Sequence, residues 1–136
     1  MLELESVIAE RIRAVPALAG WSVREGSKDL DRSAVPAVDV RLDGLQAPQA
    51  SRPAVTLQPE WQVMLVIKRG EGAAQQLGTA LPALVQALHN WRPSDPTGRQ
   101  WTELQLGAVR PVDFADAGLM GYALVLTTAS VFYGQP

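Results

Sequence analysis

Trp61–Trp91, "WQVMLVIKRGEGAAQQLGTALPALVQALHNW", decides how this chain folds. Its first eight residues place Trp61, Val63, Leu65 and Ile67 on one face of a strand, with Met64 and Val66 on the other. Both faces are apolar, so the strand belongs at the centre of a sheet. Further on, Leu77, Leu81, Leu84, Leu88 and Trp91 advance by four, three, four and three, which lines them along one stripe of a helix. Pro82 disturbs that stripe. A proline in a helix interior costs about 3 kcal/mol, so the regular helix is expected to start near Thr79, with Pro82 in its first turn, or to kink at Pro82.

Gly70-Glu71-Gly72 joins the two elements in the order that phosphate-binding loops use. A dinucleotide fingerprint needs a third glycine where Gln75 stands, and an acid near Asn90–Arg92, where none occurs. A phosphate loop of the Gly-Lys-Ser/Thr kind needs a lysine and a hydroxyl that "GAAQQLG" lacks, and Glu71 would repel an anion. The glycines are therefore expected to make a tight strand-to-helix joint.

Outward from this centre, Leu4, Val7, Ile8, Ile12 and Val15 mark an N-terminal helix with acids early and arginines late, ended by Pro16 and Gly20. Trp21 and Val23 alternate with Ser22 and Arg24 as a short strand, before a polar loop "EGSKDLDRSAVP". "AVDVRLDG" sets Val38, Val40 and Leu42 against Asp39, Arg41 and Asp43, a strand with one wet side. In "LQAPQASRPAVTLQPE" the prolines and small residues read first as an exposed loop, with "AVTL" extending into the next strand. After "RPSDPTG" ends the helix, "TELQLGAV" resumes a period of two, with Leu104, Leu106 and Ala108 inward. The last strand runs from Leu119 to Phe132, roughly 45 Å if unbroken, so it must bend or reach past its own domain.

The expected fold is α+β: one domain over residues 1–136, with a mostly antiparallel mixed sheet of about five strands. An N-terminal and a central helix pack on one of its faces. A length of 136 residues suits one domain, and 47% hydrophobic with 19% charged residues is a globular composition. A net charge of -2 provides no basic field for nucleic acid. Lys68, Arg69, Arg92 and Arg99 sit on different connections, so no sequence-specific nucleic-acid contact is expected. The absence of cysteine removes disulfides, thiolate catalysis and cysteine-based zinc sites, and suits a reducing compartment. Glu3, Glu5 and Glu10 occupy the start where an export leader would be basic, so none is expected. "LMGYALVLTTASVFY" is too short and too polar to span a membrane.

No constellation of residues points to catalysis, a cofactor or a metal. His89, the one histidine, has neither a cysteine to activate nor a serine elbow, and is assigned a capping or solvent-facing role at the helix end. Asp29, Asp31, Asp113 and Asp116 follow no metal-loop spacing and are read as turn residues. Trp21, Trp61, Trp91 and Trp101 are read as anchors of the strand and helix ends.

In length, element order and pattern the chain resembles the tail terminator, or tail completion, proteins of long-tailed bacteriophages, Mu-like and lambda-like. The stretches "VIAERIRAV", "AVDVRL", "WQVMLVIKRG", "LGTALPALVQALHNW" and "GYALVLTTASVFYG" carry the resemblance over nearly the whole chain. It implies a homohexameric ring on the end of the tail tube, which stops tube growth and offers a surface for the head. The implied partners are further copies of the chain, the tail tube protein, and a head-completion or neck protein. The implied location is the virion tail, after assembly in the cytoplasm of a bacterial host. The loop Leu45–Pro59 and the connection Arg92–Trp101 are the expected contact segments, with Gln46, Gln49, Arg52, Arg92, Asp95 and Arg99 as contact residues. Alternatives are another phage neck or tail connector, a secretion-apparatus relative, or, more distantly, a small-molecule enzyme with an unrecognised site.

Overall fold

A computed structural model describes residues 1–29 and 31–136; Leu30, in the expected polar loop, lies outside the described residues. The elements are α1 (Glu3–Arg13), a 3-10 turn at Pro16–Leu18, β1 (Ser22–Glu25), β2 (Ala37–Ser51), β3 (Ala54–Lys68), α2 (Ala73–Leu88), β4 (Gln105–Pro111), β5 (Leu119–Thr127) and β6 (Ser130–Tyr133). The sheet has the order β1-β2-β3-β5-β4, and β6 also pairs with β3. β1 runs parallel to β2 and every other pairing is antiparallel. This is an α+β fold with a mixed, mostly antiparallel sheet.

β3 is central because both its faces find cover. Trp61, Val63, Leu65 and Ile67 are buried beside Val38 and Val40 of β2 and Leu124 and Leu126 of β5. Leu4, Ile8 and Ile12 of α1 and Leu77, Leu84 and Leu88 of α2 close over that face in the same cluster. Each such side chain contributes about 1.5–3 kcal/mol on burial. On the other face Val66 is 2% and Ala123 3% exposed, although the two helices lie elsewhere. Phe114, from the β4–β5 connection, and Leu119, at the start of β5, line the hollow above Val66.

Four sequence expectations need correction. Leu45–Ser51 is not a loop: β2 and β3 continue together as a hairpin whose turn is Ser51–Ala54. Register shifts between Leu42 and Gly44 and between Gln46 and Gln49 break the alternation there, and the residues are exposed, so no apolar period marked the strand. α2 starts at Ala73, not near Thr79, and passes through Pro82 as continuous helix. Pro82 and Gly78 are both exposed, so the carbonyl that loses its intrahelical donor can be solvated. Ala108 does not point inward with Leu104 and Leu106, because a bulge at Gly107 shifts the register and sends it to the opposite face. The last strand is divided, with β5 paired to Glu60–Lys68 and β6 to Ala54–Leu57. The register does not slip between the two ladders. Pro59, with no N–H to give, falls in the gap opposite Thr128, whose N–H reaches the Pro59 carbonyl at 3.4 Å, while the Ala129 carbonyl accepts from the Thr102 N–H at 3.0 Å.

Candidate functional site

Once the helix layer is accounted for, two surfaces remain. One is an arm made of the distal half of the β2–β3 hairpin with β6 laid along β3. The other is the face of the sheet opposite the helices.

The arm is nearly uncharged. Between Asp43 and Glu60 the sole charged side chain is Arg52, in the turn at the tip. Leu45, Val131 and Tyr133 are the exposed large hydrophobic side chains of the arm, and Tyr133 is 76% exposed. Gln46 and Gln49 stand on its exposed β2 strand. Beyond Val40 that strand has no strand partner on its outer side among the described residues. Pro48 and the register shift beside it interrupt the free edge, as the Gly107 bulge and Pro111 do on β4, which discourages strand-to-strand addition at either edge.

The Arg92–Trp101 connection braces the base of the arm. The Asp95 carboxylate accepts hydrogen bonds from the Thr97 N–H and hydroxyl at 2.8 and 2.6 Å and from the indole N–H of buried Trp101 at 2.8 Å. Burial tends to raise its pKa, but these hydrogen bonds from Thr97 and Trp101 outweigh that and hold it below the usual carboxylate range. Trp101 packs edge-on to Phe132 at 6.2 Å. The Arg99 guanidinium lies 3.5 Å from the Phe132 ring centroid and donates to the Val131 carbonyl at 2.8 Å. Thus Asp95 is turned inward and Arg99 is spent largely on β6, whereas Arg92 is exposed and pairs with Glu103 at 2.8 Å.

The open sheet face carries charge in a fixed arrangement. Arg24 of β1 grips Asp39 of β2 with two nitrogens, and Arg32 reaches the same carboxylate at 3.2 Å. Arg24 is 5% and Asp39 8% exposed, so neither can be removed without leaving a buried charge. Gln62 and Met64 of β3 line a hollow of about 250 Å³ with Arg24, Asp39, Val66 and Phe114. Beside it, Asp43, Glu60, Arg110 and Asp113 border a second hollow of about 310 Å³ that shares Gln62. Gln62 Oε1 is buried without a hydrogen-bond partner among the described residues. Periodicity had put Asp39, Arg41 and Asp43 on the wet side, but the opposition of Arg24 to Asp39 depends on parallel pairing between strands that sequence does not reveal.

The Gly70–Gly72 joint borders an open cleft of about 550 Å³ with Lys68, Arg69 and Gln75. The first turn of α2 is capped by Gly72, whose residue type supplies no side-chain hydrogen bond, and Arg69 is held by the Ala117 carbonyl at 2.9 Å. His89 is the C-cap residue and is exposed, and its Nδ1 accepts from the Leu106 N–H at 3.1 Å. Asp29 and Asp116 accept backbone N–H groups at 2.8 Å, as turn residues do. Among the described residues no group of three or more metal-ligating side chains comes together, and no helix is long and apolar enough to cross a membrane.

A chain in the virion of a native gene transfer agent particle has the same fold. It superposes with a TM-score of 0.71 at 14% identity, covering 95% of each chain. A second solved structure aligns at a TM-score of 0.58 and 15% identity, over 97% of this chain and 93% of its own. No family model matches the sequence, and no curated protein matches it. At these identities the likeness establishes a shared fold from end to end.

Proposed function

We propose that this chain is a structural protein of a tailed, phage-like particle, and specifically a tail terminator. In this reading copies form a ring, a hexamer, on the end of the tail tube, stop its growth and present a surface to a head-completion or neck protein. The observation that carries the reading is the end-to-end likeness to a chain of a gene transfer agent virion. The resemblance read from the sequence points the same way, and the molecule has the surfaces such a role needs. A braced, nearly uncharged arm with exposed Leu45, Val131 and Tyr133 is costly to leave in water and is economical when neighbouring copies cover it. Gln46, Gln49 and Arg52 on the arm, with Arg92 and Arg99 at its base, are the proposed subunit or tube contacts, and Asp95 holds their supporting loop from within.

The test is native mass measurement with negative-stain imaging over a range of concentrations, alone and with the tail tube protein. A six-fold ring, formed at high concentration or on tube ends, is expected. A protein that stays monomeric throughout and leaves tube length unchanged would defeat the proposal.

A further inference from the structure

We propose that the arm tip of one copy docks on the open sheet face of the next, with Arg52 entering the acidic hollow and Tyr133 the apolar hollow beside it. This deepens the ring reading and rests on it.

The tip is a cation without a counter-ion. Arg52 is exposed and makes no ion pair among the described residues. Tyr133 stands next to it, paired with Ala54 in the β6–β3 ladder, and the Gly134 N–H ties this end to the Pro53 carbonyl at 2.9 Å. Arginine and tyrosine are among the residue types enriched where interfaces gain most of their binding energy.

The open face offers the complement. One hollow is bordered by Asp43, Glu60 and Asp113 against a single Arg110, with Arg41 approaching Asp43 at 3.7 Å. Its neighbour presents Met64, Val66, Phe114 and Leu119, bordered by Arg41 and by Arg24 and Arg32, the last two paired to Asp39. Gln62 lines both hollows at their junction.

The tip cannot serve its own molecule. Ala54 lies six residues beyond Glu60 on the same strand, roughly 20 Å at the rise of a strand. The contact therefore joins unlike surfaces of two copies, and such a contact repeats head to tail and closes into a ring when the rotation permits. The interrupted edges of β2 and β4 favour contact through faces over a continued sheet.

The chain has no cysteine, so introduced thiols report one geometry. The full-length protein carrying Ser51→Cys with Val112→Cys, which leaves Arg52 and Asp113 in place, treated with a short thiol cross-linker, is expected to give a ladder on a denaturing gel. Ser51→Cys with Gln76→Cys, on the helix side, is expected to give none. Separately, Arg52→Glu is expected to raise the concentration for half-assembly about tenfold or more, and adding Asp113→Arg or Glu60→Arg is expected to restore most of the loss. Rings that form unchanged in Arg52→Glu, or ladders equal for both cysteine pairs, would overturn the docking and leave the ring reading standing. A ladder that never closes would uphold the docking and defeat the ring. A chain monomeric at every concentration, with no ladder, would overturn both.

Discussion

Gly121→Ala and Gly78→Ala add the same methyl group and are expected to move stability in opposite directions. Gly121 lies in β5 opposite Val66 of the central strand. A Cβ built there falls 1.8 Å from the Leu65 carbonyl oxygen and 2.9 Å from its carbon. A backbone carbonyl held in a ladder cannot rotate aside as a side chain does, so β3 and β5 must part by about an ångström or more, which disrupts the ladder between them. The cost should reach about 3 kcal/mol, a large share of the roughly 5–15 kcal/mol that holds a domain together. Gly78 lies inside α2, is exposed, and has nothing within 4 Å of an added Cβ. Alanine there restricts the unfolded chain and should contribute about 0.5–1 kcal/mol. Urea unfolding followed by far-ultraviolet circular dichroism reads both. With a slope of about 1–3 kcal/mol per molar, the Gly121→Ala midpoint should fall by about 1–3 M and the Gly78→Ala midpoint should rise by a few tenths. An unchanged midpoint for Gly121→Ala would refute the β3–β5 approach on which the whole register rests.

Asp39→Ala strands Arg24 in a buried site and should cost about 3–5 kcal/mol, read as a fall in the urea midpoint; wild-type stability would contradict the buried pair. The Glu25 carboxyl is held below its ordinary 4.5, first by the Ser6 hydroxyl, against burial, and then by Arg13 and Lys28. A depressed carboxyl stabilises the fold above its unfolded pKa, and that contribution is lost as pH falls through the folded value. Thermal melts of wild type and Glu25→Gln should therefore differ at neutral pH and converge below about pH 4.5; a gap that widens on acidification would reverse the sign. Leu65→Asp should abolish the cooperative unfolding transition, because it buries a charge among apolar side chains. Glu71→Gln, at an exposed joint, should change neither stability nor assembly by more than about 0.5 kcal/mol.

The helices and the central strand were legible because their apolar residues repeat at helical or strand periods over many residues. Trp61 to Ile67 on one side and Leu77 to Leu88 on the other needed no tertiary information to be placed against each other. The arm was illegible for a physical reason. Its strand is held by backbone pairing with little burial, its two register shifts erase the period, and its prolines imitate a loop. Pro82 misled in a similar way, since the cost of a helical proline falls when the orphaned carbonyl meets water. Of the expected contact residues, Gln46, Gln49, Arg52 and Arg92 lie exposed. Only the fold revealed that Asp95 points inward to Trp101 and that Arg99 spans to β6. The two hollows draw on five strands and the β4–β5 connection, so no local pattern announces them.

The central claim is that copies of this chain close a tail tube. Electron microscopy of tube protein polymerised with and without it tests this most directly. With the protein present, tubes of arrested length bearing a six-fold cap at one end are predicted. Tubes of unchanged length distribution with bare ends, at concentrations where the protein is folded and in excess, would contradict the account.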